Sequence, residues 1–463
     1  MPDLSAIVKA YDIRGVVGEQ LDEGTARALG GAMARLVAAD DPAPRAVVVG
    51  RDMRDSSPSL AAAFADGVTG QGLDVVDIGL ASTDMLYYAA GSLDLPGAMF
   101  TASHNPAKYN GIKLCRAGAT PIGQDSGLAT IRETAEAGVP EGPGGGSVET
   151  RDMLAGYADY LRSLVDLSGL RELTVVVDAG NGMGGHTVPT VFDGLPIRVV
   201  PLYFELDGDF PNHEANPLDP ANLVDLQKAV VAEGADLGLA FDGDADRCFA
   251  VDERGEAVSP SAITGLVAAR ELARVAADGE TDVAIIHNLI TSRAVPEIVA
   301  ERGGRAVRTR VGHSFIKATM AETGAVFGGE HSAHYYFRDF WKADSGMLAA
   351  LHVLAALGEY RGADPAAPLS GLMAAYERYA ASGEINSTVT DQAARVAEIE
   401  RIYGARDGVE LDTLDGLTVS LPDGSWFNLR ASNTEPLLRL NVEAADAGAV
   451  AALRDEVLDV VRA

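Results

Sequence analysis

The order of apolar and polar positions predicts a chain that alternates strand and helix through most of its length. Short apolar runs fit buried strands at 45–50 (RAVVVG), 74–79 (DVVDIG) and 97–103 (GAMFTAS), with a helical stretch from Pro58 between the first two. The same style recurs at 174–180 (TVVVDAG), 196–201 (PIRVVP) and 235–242 (ADLGLAFD), then at 282–288 (DVAIIHN) and 306–312 (AVRTRVG). Such alternation favours α/β layers around buried sheets. The C-terminal stretch differs. EINSTVTD, a helix from Gln392 to Tyr403, a hairpin turning at Pro422-Asp423-Gly424, a strand LLRLNVE and a final helix read as α+β with an antiparallel sheet. Val450, Leu453, Val457 and Val461 share one face of that last helix. Three stretches rich in Gly, Pro or Ser interrupt the pattern: Gly138–Ser147, Glu253–Pro260 and Gly362–Ser370. They divide the chain into 1–145, 146–253, 254–365 and 366–463, each large enough for an independent domain.

Composition narrows the class. With 47% hydrophobic and 22% charged residues the chain reads as globular. No apolar run reaches the roughly 18 residues that a bilayer demands; the longest, Met347–Leu357, contains His352. The first residues, MPDLSAIVKAYDIRG, lack the basic segment and apolar core of a secretory signal. Cys115 and Cys248 have no paired spacing, which argues against a disulfide framework or a zinc site. A cytoplasmic protein is expected, a monomer or weak homodimer acting on small molecules. The net charge of -30 argues against a nucleic-acid partner, which needs a basic surface, and no membrane partner is expected. Its plain reading is a solvated acidic surface. Because cations are the minority, a local excess of Arg, Lys and His marks an anion site.

Four turn-rich loops carry candidate chemistry. Thr101-Ala-Ser-His-Asn-Pro106 follows an apolar strand, and Asn105 before proline is pushed out of helical conformation, so Ser103 is expected to be exposed. His104 adjoins it and Lys113 lies downstream, as activation of a serine nucleophile or phosphate carrier would need. Phe241-Asp-Gly-Asp-Ala-Asp-Arg247 places Asp242, Asp244 and Asp246 at alternate positions of an extended loop. Three carboxylates so close repel one another unless a hard cation neutralises them, and oxygen ligands suit magnesium or calcium. The later bidentate Glu of an EF-hand is missing; this loop, too, is expected to be exposed. Gly328-Gly-Glu-His-Ser-Ala-His334 alternates Glu330, Ser332 and His334, a donor and acceptor set for sugar hydroxyls. His331 and His334 lack a third zinc ligand nearby. Upstream, Arg308, Arg310, His313 and Lys317 form a basic stretch. Arg430-Ala-Ser-Asn-Thr-Glu-Pro436 can grip phosphate through the Arg430 fork, with Ser432, Asn433, Thr434 and turn amides on the remaining oxygens. Taken singly, SHNP is also a capped turn, the aspartates a solvated acidic turn and RASNTEP a polar strand end.

A rival signal is Gly180-Asn-Gly182-Met-Gly-Gly185, which fits G-x-G-x-x-G after a strand and would suit an NAD-dependent dehydrogenase. It lies in the second segment, which is short for two nucleotide-binding halves, and would leave the serine and aspartates without a role. A tight turn before a helix explains it better.

TASHNP, DGDADR, GGEHSAH and RASNTEP, in that order, together with AYDIRG and RTRVGHS, closely resemble the α-D-phosphohexomutases of the phosphomannomutase and phosphoglucomutase branch, across essentially the whole chain. The resemblance implies three similar mixed-sheet α/β domains and a smaller α+β C-terminal domain around a central cleft. It implies an isomerase moving phosphate between positions of a hexose phosphate, through a phosphoserine and a hexose 1,6-bisphosphate that also serves as activator. Ser103 would carry the phosphoryl group; Asp242, Asp244 and Asp246 would bind Mg2+ together with that phosphoserine. Arg14, His104, Lys113 and His334 would line the reacting centre. Arg247 would contact the sugar, Glu330 and Ser332 its ring hydroxyls; Tyr11, His313, Arg430, Ser432, Asn433 and Thr434 would hold the other phosphate. Ala245 stands where the family has glycine, a change expected to be sterically mild, and Ala333 likewise replaces glycine. His331 replaces methionine, and His287-Asn-Leu-Ile290 lacks a lysine found in some relatives. A phosphoglucosamine mutase, a serine phosphatase and a sugar-phosphate binder without activity are the remaining alternatives; the binder would need neither the serine nor the aspartates.

Overall fold

The computed structural model describes residues 3–362, 364–431 and 437–463, the side chains of His313 and Ser314 excepted. The chain divides into two compact units, 1–258 with 332–372 and 259–331 with 373–463.

Two mixed sheets organise the first unit. The larger has the order Ile13–Val16, Tyr109–Cys115, Gly97–Phe100, Ala46–Arg51, Asp74–Leu80, Val148–Thr150. Its last four strands run parallel, whereas Tyr109–Cys115 turns back antiparallel to Gly97–Phe100 and to Ile13–Val16. The apolar runs AVVVG and GAMF are buried throughout, as central strands covered on both faces must be. Val148–Thr150 completes this sheet from beyond residue 145. The second sheet repeats the plan: Leu237–Phe241, Leu173–Asp178 and Ile197–Leu202 are parallel, and Cys248–Asp252 turns back beside the first of them. The stretch Glu253–Pro260 is a tight hairpin rather than an open linker. Asp252 N donates to Glu256 O at 2.8 Å, Ala257–Val258 pairs with Cys248–Asp252, and Ser259 caps the helix Pro260–Ala277. Glu253 also accepts from Ser370 N and Oγ at 3.1 and 2.6 Å, so two of the three expected breaks meet.

In the second unit Ala284–Asn288 is flanked by the parallel strands Arg305–Thr309 and Phe327–Gly329. The C-terminal part is an antiparallel sheet ordered Ala380–Thr388, Leu437–Ala444, Trp426–Ala431, Leu417–Ser420, Glu410–Asp412. Val450, Leu453, Val457 and Val461 of the last helix pack with Ile399, Tyr403 and Phe427 in one core. No helix among the described residues is long and apolar enough to cross a membrane.

The helices Glu23–Val37 and Ser57–Gly70 touch backbone to backbone. A Cβ on Gly67 would lie 2.0 Å from Arg27 O, and one on Gly30 would lie 2.2 Å from Phe64 O. Gly67→Ala is therefore expected to destabilise the first unit by about 1–3 kcal/mol, the usual cost of overpacking. A thermal melt showing no downward shift for this variant would contradict the close packing.

Candidate active site

Two loops of the first unit hold equivalent places. Residues 101–108 join Gly97–Phe100 to Tyr109–Cys115, and residues 242–247 join Leu237–Phe241 to Cys248–Asp252. Each is the reversal at which the outermost parallel strand gives way to an antiparallel one. Ser103 adopts a left-handed conformation, φ 50°, with its N–H bonded to Thr101 Oγ1 at 2.9 Å. That conformation is unfavourable for a residue with a Cβ and persists only when the surroundings impose it.

Arg54 imposes it. Its guanidinium is 1% exposed and donates to five acceptors: Asp52 Oδ2 at 3.1 Å, Pro106 O at 3.1 Å, Tyr109 O at 2.9 Å, Ser103 O at 2.9 Å and Asn105 O at 2.7 Å. Four loop carbonyls are drawn inward onto one planar donor set. Ser103 is only 5% exposed, against the expectation of an exposed turn, because Arg54 pulls the loop in and the aspartate loop covers it.

The aspartate loop is likewise buried rather than exposed: Asp242, Asp244 and Asp246 are 0%, 0% and 1% exposed. Ser103 Oγ donates to Asp242 Oδ2 at 2.8 Å and lies 3.1 Å from His104 Nδ1. Arg247 donates through Nε to the same Asp242 oxygen at 2.9 Å and through Nη2 to His104 Nδ1 at 2.7 Å. Since arginine only donates, that imidazole nitrogen accepts. Burial first, then the charges of Arg247 and Arg14, push the His104 pKa down to about 2, so the ring is neutral. Arg247 itself is 3% exposed and turned onto Asp242 and His104. Lys113 Nζ donates to Asp244 Oδ2 at 2.7 Å and Asp246 Oδ2 at 2.5 Å. Burial opposes its charge, but Asp244 and Asp246 hold the ammonium well above its ordinary value. Burial, reinforced by Asp246 and Asp244, raises the Asp242 carboxyl against the pull of Arg247.

Three carboxylates thus face two bonded cations. Asp244 Oδ1 and Asp246 Oδ1 are buried without a hydrogen-bond partner, and the three carboxylates can bring ligand atoms within 4.8 Å of one another. An all-oxygen set with bare, buried acceptors fits a hard divalent cation. Arg14 bridges Asn105 Oδ1 and Asp12 Oδ2, both at 2.6 Å, which ties it to the serine loop, and Tyr11 is half-buried beside Asp12 in sequence. His334 Nε2 stands 3.7 Å from Asp246 Oδ1, and its Nδ1 is 3.0 Å from Ser332 Oγ.

Glu330 is buried, and its Oε1 accepts from Asn288 Nδ2 and Gly312 N, each at 3.3 Å. The basic stretch is dispersed: Arg308 pairs with Asp412, Arg310 stacks over Phe315, and Lys317 is buried. Arg430 lies 3.9 Å from Glu384 and 3.8 Å from Asp415. Ser432, Asn433, Thr434 and the His313 side chain lie outside the described residues.

The glycine fingerprint serves the aspartate loop. Gly180 turns at φ 52°, a Cβ on Gly182 would come 2.6 Å from Gly243 O, and Met183 N donates to that oxygen at 2.9 Å. A helix-start amide that would cradle a pyrophosphate in a dinucleotide site is spent on this contact. Arg54, Thr83 and Asp84 also shape the site and carry no sequence signal of their own. Thr83 Oγ1 donates to Asp244 Oδ2 at 2.6 Å, and Asp84 accepts from Tyr157 and Ser345 at 2.7 and 2.6 Å.

Comparisons with known proteins agree along the whole chain. Models of phosphoglucomutase/phosphomannomutase α/β/α domains I, II and III match residues 5–139, 155–255 and 260–379, and the model of the C-terminal domain matches 384–460. A protein named "Phosphohexose mutases" from Xanthomonas campestris is 41% identical, the alignment covering 98% of each chain. A phosphomannomutase of Salmonella montevideo is 40% identical over 94% of each. A crystal structure of a phosphoglucomutase/phosphomannomutase family protein from Burkholderia thailandensis superposes with TM-score 0.87 at 33% identity, covering 99% of this chain and 97% of that one.

The expectation that Ala245 is mild does not hold, and Ala333 shares its backbone conformation. Both hold left-handed backbone, φ 57° and 65°, which costs a residue with a Cβ about 1–2 kcal/mol. Ala245→Gly is expected to leave stability unchanged or raise it by up to about 1 kcal/mol, the relief being partly offset by unfolded-state entropy. Ala350→Gly, in the helix Gly346–Tyr360, should instead cost about 1 kcal/mol. Equal losses for the two variants in denaturant titrations would refute the strain.

Proposed function

This chain belongs to the phosphoglucomutase/phosphomannomutase family, and we propose that it interconverts hexose 6-phosphate and hexose 1-phosphate, mannose phosphate being its main substrate and glucose phosphate a second. One observation carries the reading of the site. A buried serine in strained backbone donates a hydrogen bond to a carboxylate at 2.8 Å, in a loop whose neighbouring carboxylates keep bare oxygens. The identities near 40% to a phosphomannomutase and to "Phosphohexose mutases" support the sugar class.

In the working enzyme Ser103 would carry the phosphoryl group, and Asp242, Asp244 and Asp246 would hold Mg2+ together with that phosphoserine. When bound, such an ion would supply charge neutralisation for the phosphoryl oxygens. Transfer breaks the bond from Ser103 Oγ to phosphorus as the free sugar hydroxyl oxygen forms its own; the hydroxyl proton ends, net, on the released Ser103 Oγ, and hexose 1,6-bisphosphate results. The reverse step at the other end of the sugar restores phosphoserine. Lys113 and Arg14 supply fixed positive charge at the reacting loops, so little reorganisation is required during transfer. Neutral His104, its Nδ1 held by Arg247, orients Ser103 rather than storing a proton; His334 assists at the same centre. Glu330 and Ser332 are assigned to ring hydroxyls, and Arg430 with Ser432, Asn433, Thr434 and His313 to the phosphate not in transit. Mannose and glucose differ only at the 2-hydroxyl, and no side chain is assigned to that position, so both epimers should be used.

A coupled assay with mannose, glucose and glucosamine 1-phosphates is the direct test. Turnover should be highest for mannose, clear for glucose, poor for glucosamine, abolished by a chelator and restored by Mg2+. Ser103→Ala should lose it, and intact mass should reveal phosphate on a fraction of the wild-type chain. Steady release of inorganic phosphate, or a glucosamine substrate preferred over the other two, would defeat the assignment. Arg430→Ala should raise KM at least about tenfold, and more than it lowers kcat, because its phosphate is not the one reacting. An unchanged KM would move that phosphate elsewhere.

A further inference from the structure

The two inner aspartates are bonded on one side only. Asp244 Oδ2 accepts from Lys113 Nζ at 2.7 Å and from Thr83 Oγ1 at 2.6 Å, and Asp246 Oδ2 accepts from Lys113 at 2.5 Å. The other oxygen of each, Oδ1, is buried with no hydrogen bond. A carboxylate free to rotate would exchange its two oxygens. Here the donors occupy the same oxygen of each group, and the remaining pair is left bare.

Thr83 bonds Asp244 twice. Its own N–H donates to Asp244 O at 3.0 Å, so residue 83 grips Asp244 at both the backbone and the side chain. Its β-branched side chain has few rotamers to lose, whereas the lysine stem has many. It is the first residue of the helix Thr83–Leu93, whose N-cap Ser82 accepts from Met85 N. The next residue, Asp84, anchors that helix end by accepting Ser82 Oγ at 2.5 Å, Tyr157 OH at 2.7 Å and Ser345 Oγ at 2.6 Å. These donors come from three separate stretches of the chain.

We propose that Thr83 is a positioning residue for the divalent cation: by occupying Asp244 Oδ2 it fixes the carboxylate with Oδ1 turned to the ion. The inference rests on the reading of the aspartate loop as a Mg2+ site. It goes beyond that reading by assigning part of the site's affinity to a side chain that does not touch the ion. Partners of this kind hold ligand orientation, and losing one typically weakens metal binding about 10–100-fold.

Calorimetric titration of Mg2+ into the full chain tests it without relying on turnover. Thr83→Val, nearly isosteric but without the hydroxyl, should bind Mg2+ at least about tenfold more weakly than wild type. Thr83→Ser should bind nearly as tightly as wild type, since the donor remains. Thr83→Ala, read alongside, removes the donor without placing a methyl group against the carboxylate, so it covers a valine variant that fails to fold. Metal-free melting midpoints of the variants should stay close to wild type, and the sugar-phosphate KM at saturating Mg2+ should be unchanged. A valine or alanine variant that folds and binds Mg2+ like wild type would overturn the assignment of Thr83, with the metal site intact. A serine variant as weak as valine would do the same. No Mg2+ uptake by the wild-type chain would overturn the metal reading and the role of Thr83 together.

Discussion

Burying three carboxylates against one serine is the constraint around which the first unit is arranged. An ion taken from water into a protein interior costs several kcal/mol unless it is paired and hydrogen-bonded. Lys113 and Arg247 offset part of that cost, and Thr83 and Ser103 add hydroxyl donors. The closeness needed is bought by missing side chains. A Cβ on Gly243 would lie 2.4 Å from Ser103 O, one on Gly182 2.6 Å from Gly243 O, and one on Gly346 2.5 Å from the Arg247 carbonyl carbon. Backbone from three elements therefore closes on the aspartate loop, and the bare oxygens Asp244 Oδ1 and Asp246 Oδ1 are left as acceptors that a cation could use.

The place of these loops follows from sheet topology. In open α/β sheets, ligands gather outside the carboxyl ends of the strands, where helix starts and chain reversals leave backbone groups and short side chains available. Ser103 follows the carboxyl end of Gly97–Phe100, and Asp242 directly follows that of Leu237–Phe241; both strands are parallel to a neighbour and antiparallel to the strand that comes next. Glu330 directly follows Phe327–Gly329, which is parallel to Ala284–Asn288. One structural plan, used three times, thus offers three loops. Their different chemistry lies in the few residues of each reversal and not in the layers that carry them.

The layers were plain from the apolar pattern. RAVVVG, TVVVDAG and DVAIIHN match the strands Ala46–Arg51, Leu173–Asp178 and Ala284–Asn288, the first two to within a residue at one end. The helix read from Gln392 ends at Gly404, one residue beyond Tyr403. What the pattern misjudged was exposure. Polar, turn-forming residues such as Ser103 and Asp244 read as surface, because local composition cannot report that a distant arginine and threonine will satisfy them inside. The cost of Ala245 was misjudged for a related reason: alanine is small, but the penalty arises from a backbone φ that its identity does not reveal. ERGEAVSP looked like a linker and is a hairpin, since Gly and Pro punctuate both.

The cations at the site come singly along the chain rather than as a basic run. In an acidic chain a local run of basic residues ought to mark an anion site, yet the run from Arg308 to Lys317 is dispersed onto Asp412, an aromatic ring and a buried position. Arg54, Lys113 and Arg247 lie far apart in sequence and converge only through tertiary packing. A single buried guanidinium with all its donors used fixes a loop more firmly than several exposed ones, because each unmade bond inside would cost more than it does in water. For this fold the informative cation is therefore the solitary one. Arg54, three residues after a strand and just before a helix, shows why: its charge works by giving four carbonyls one partner, a role that sequence spacing cannot encode.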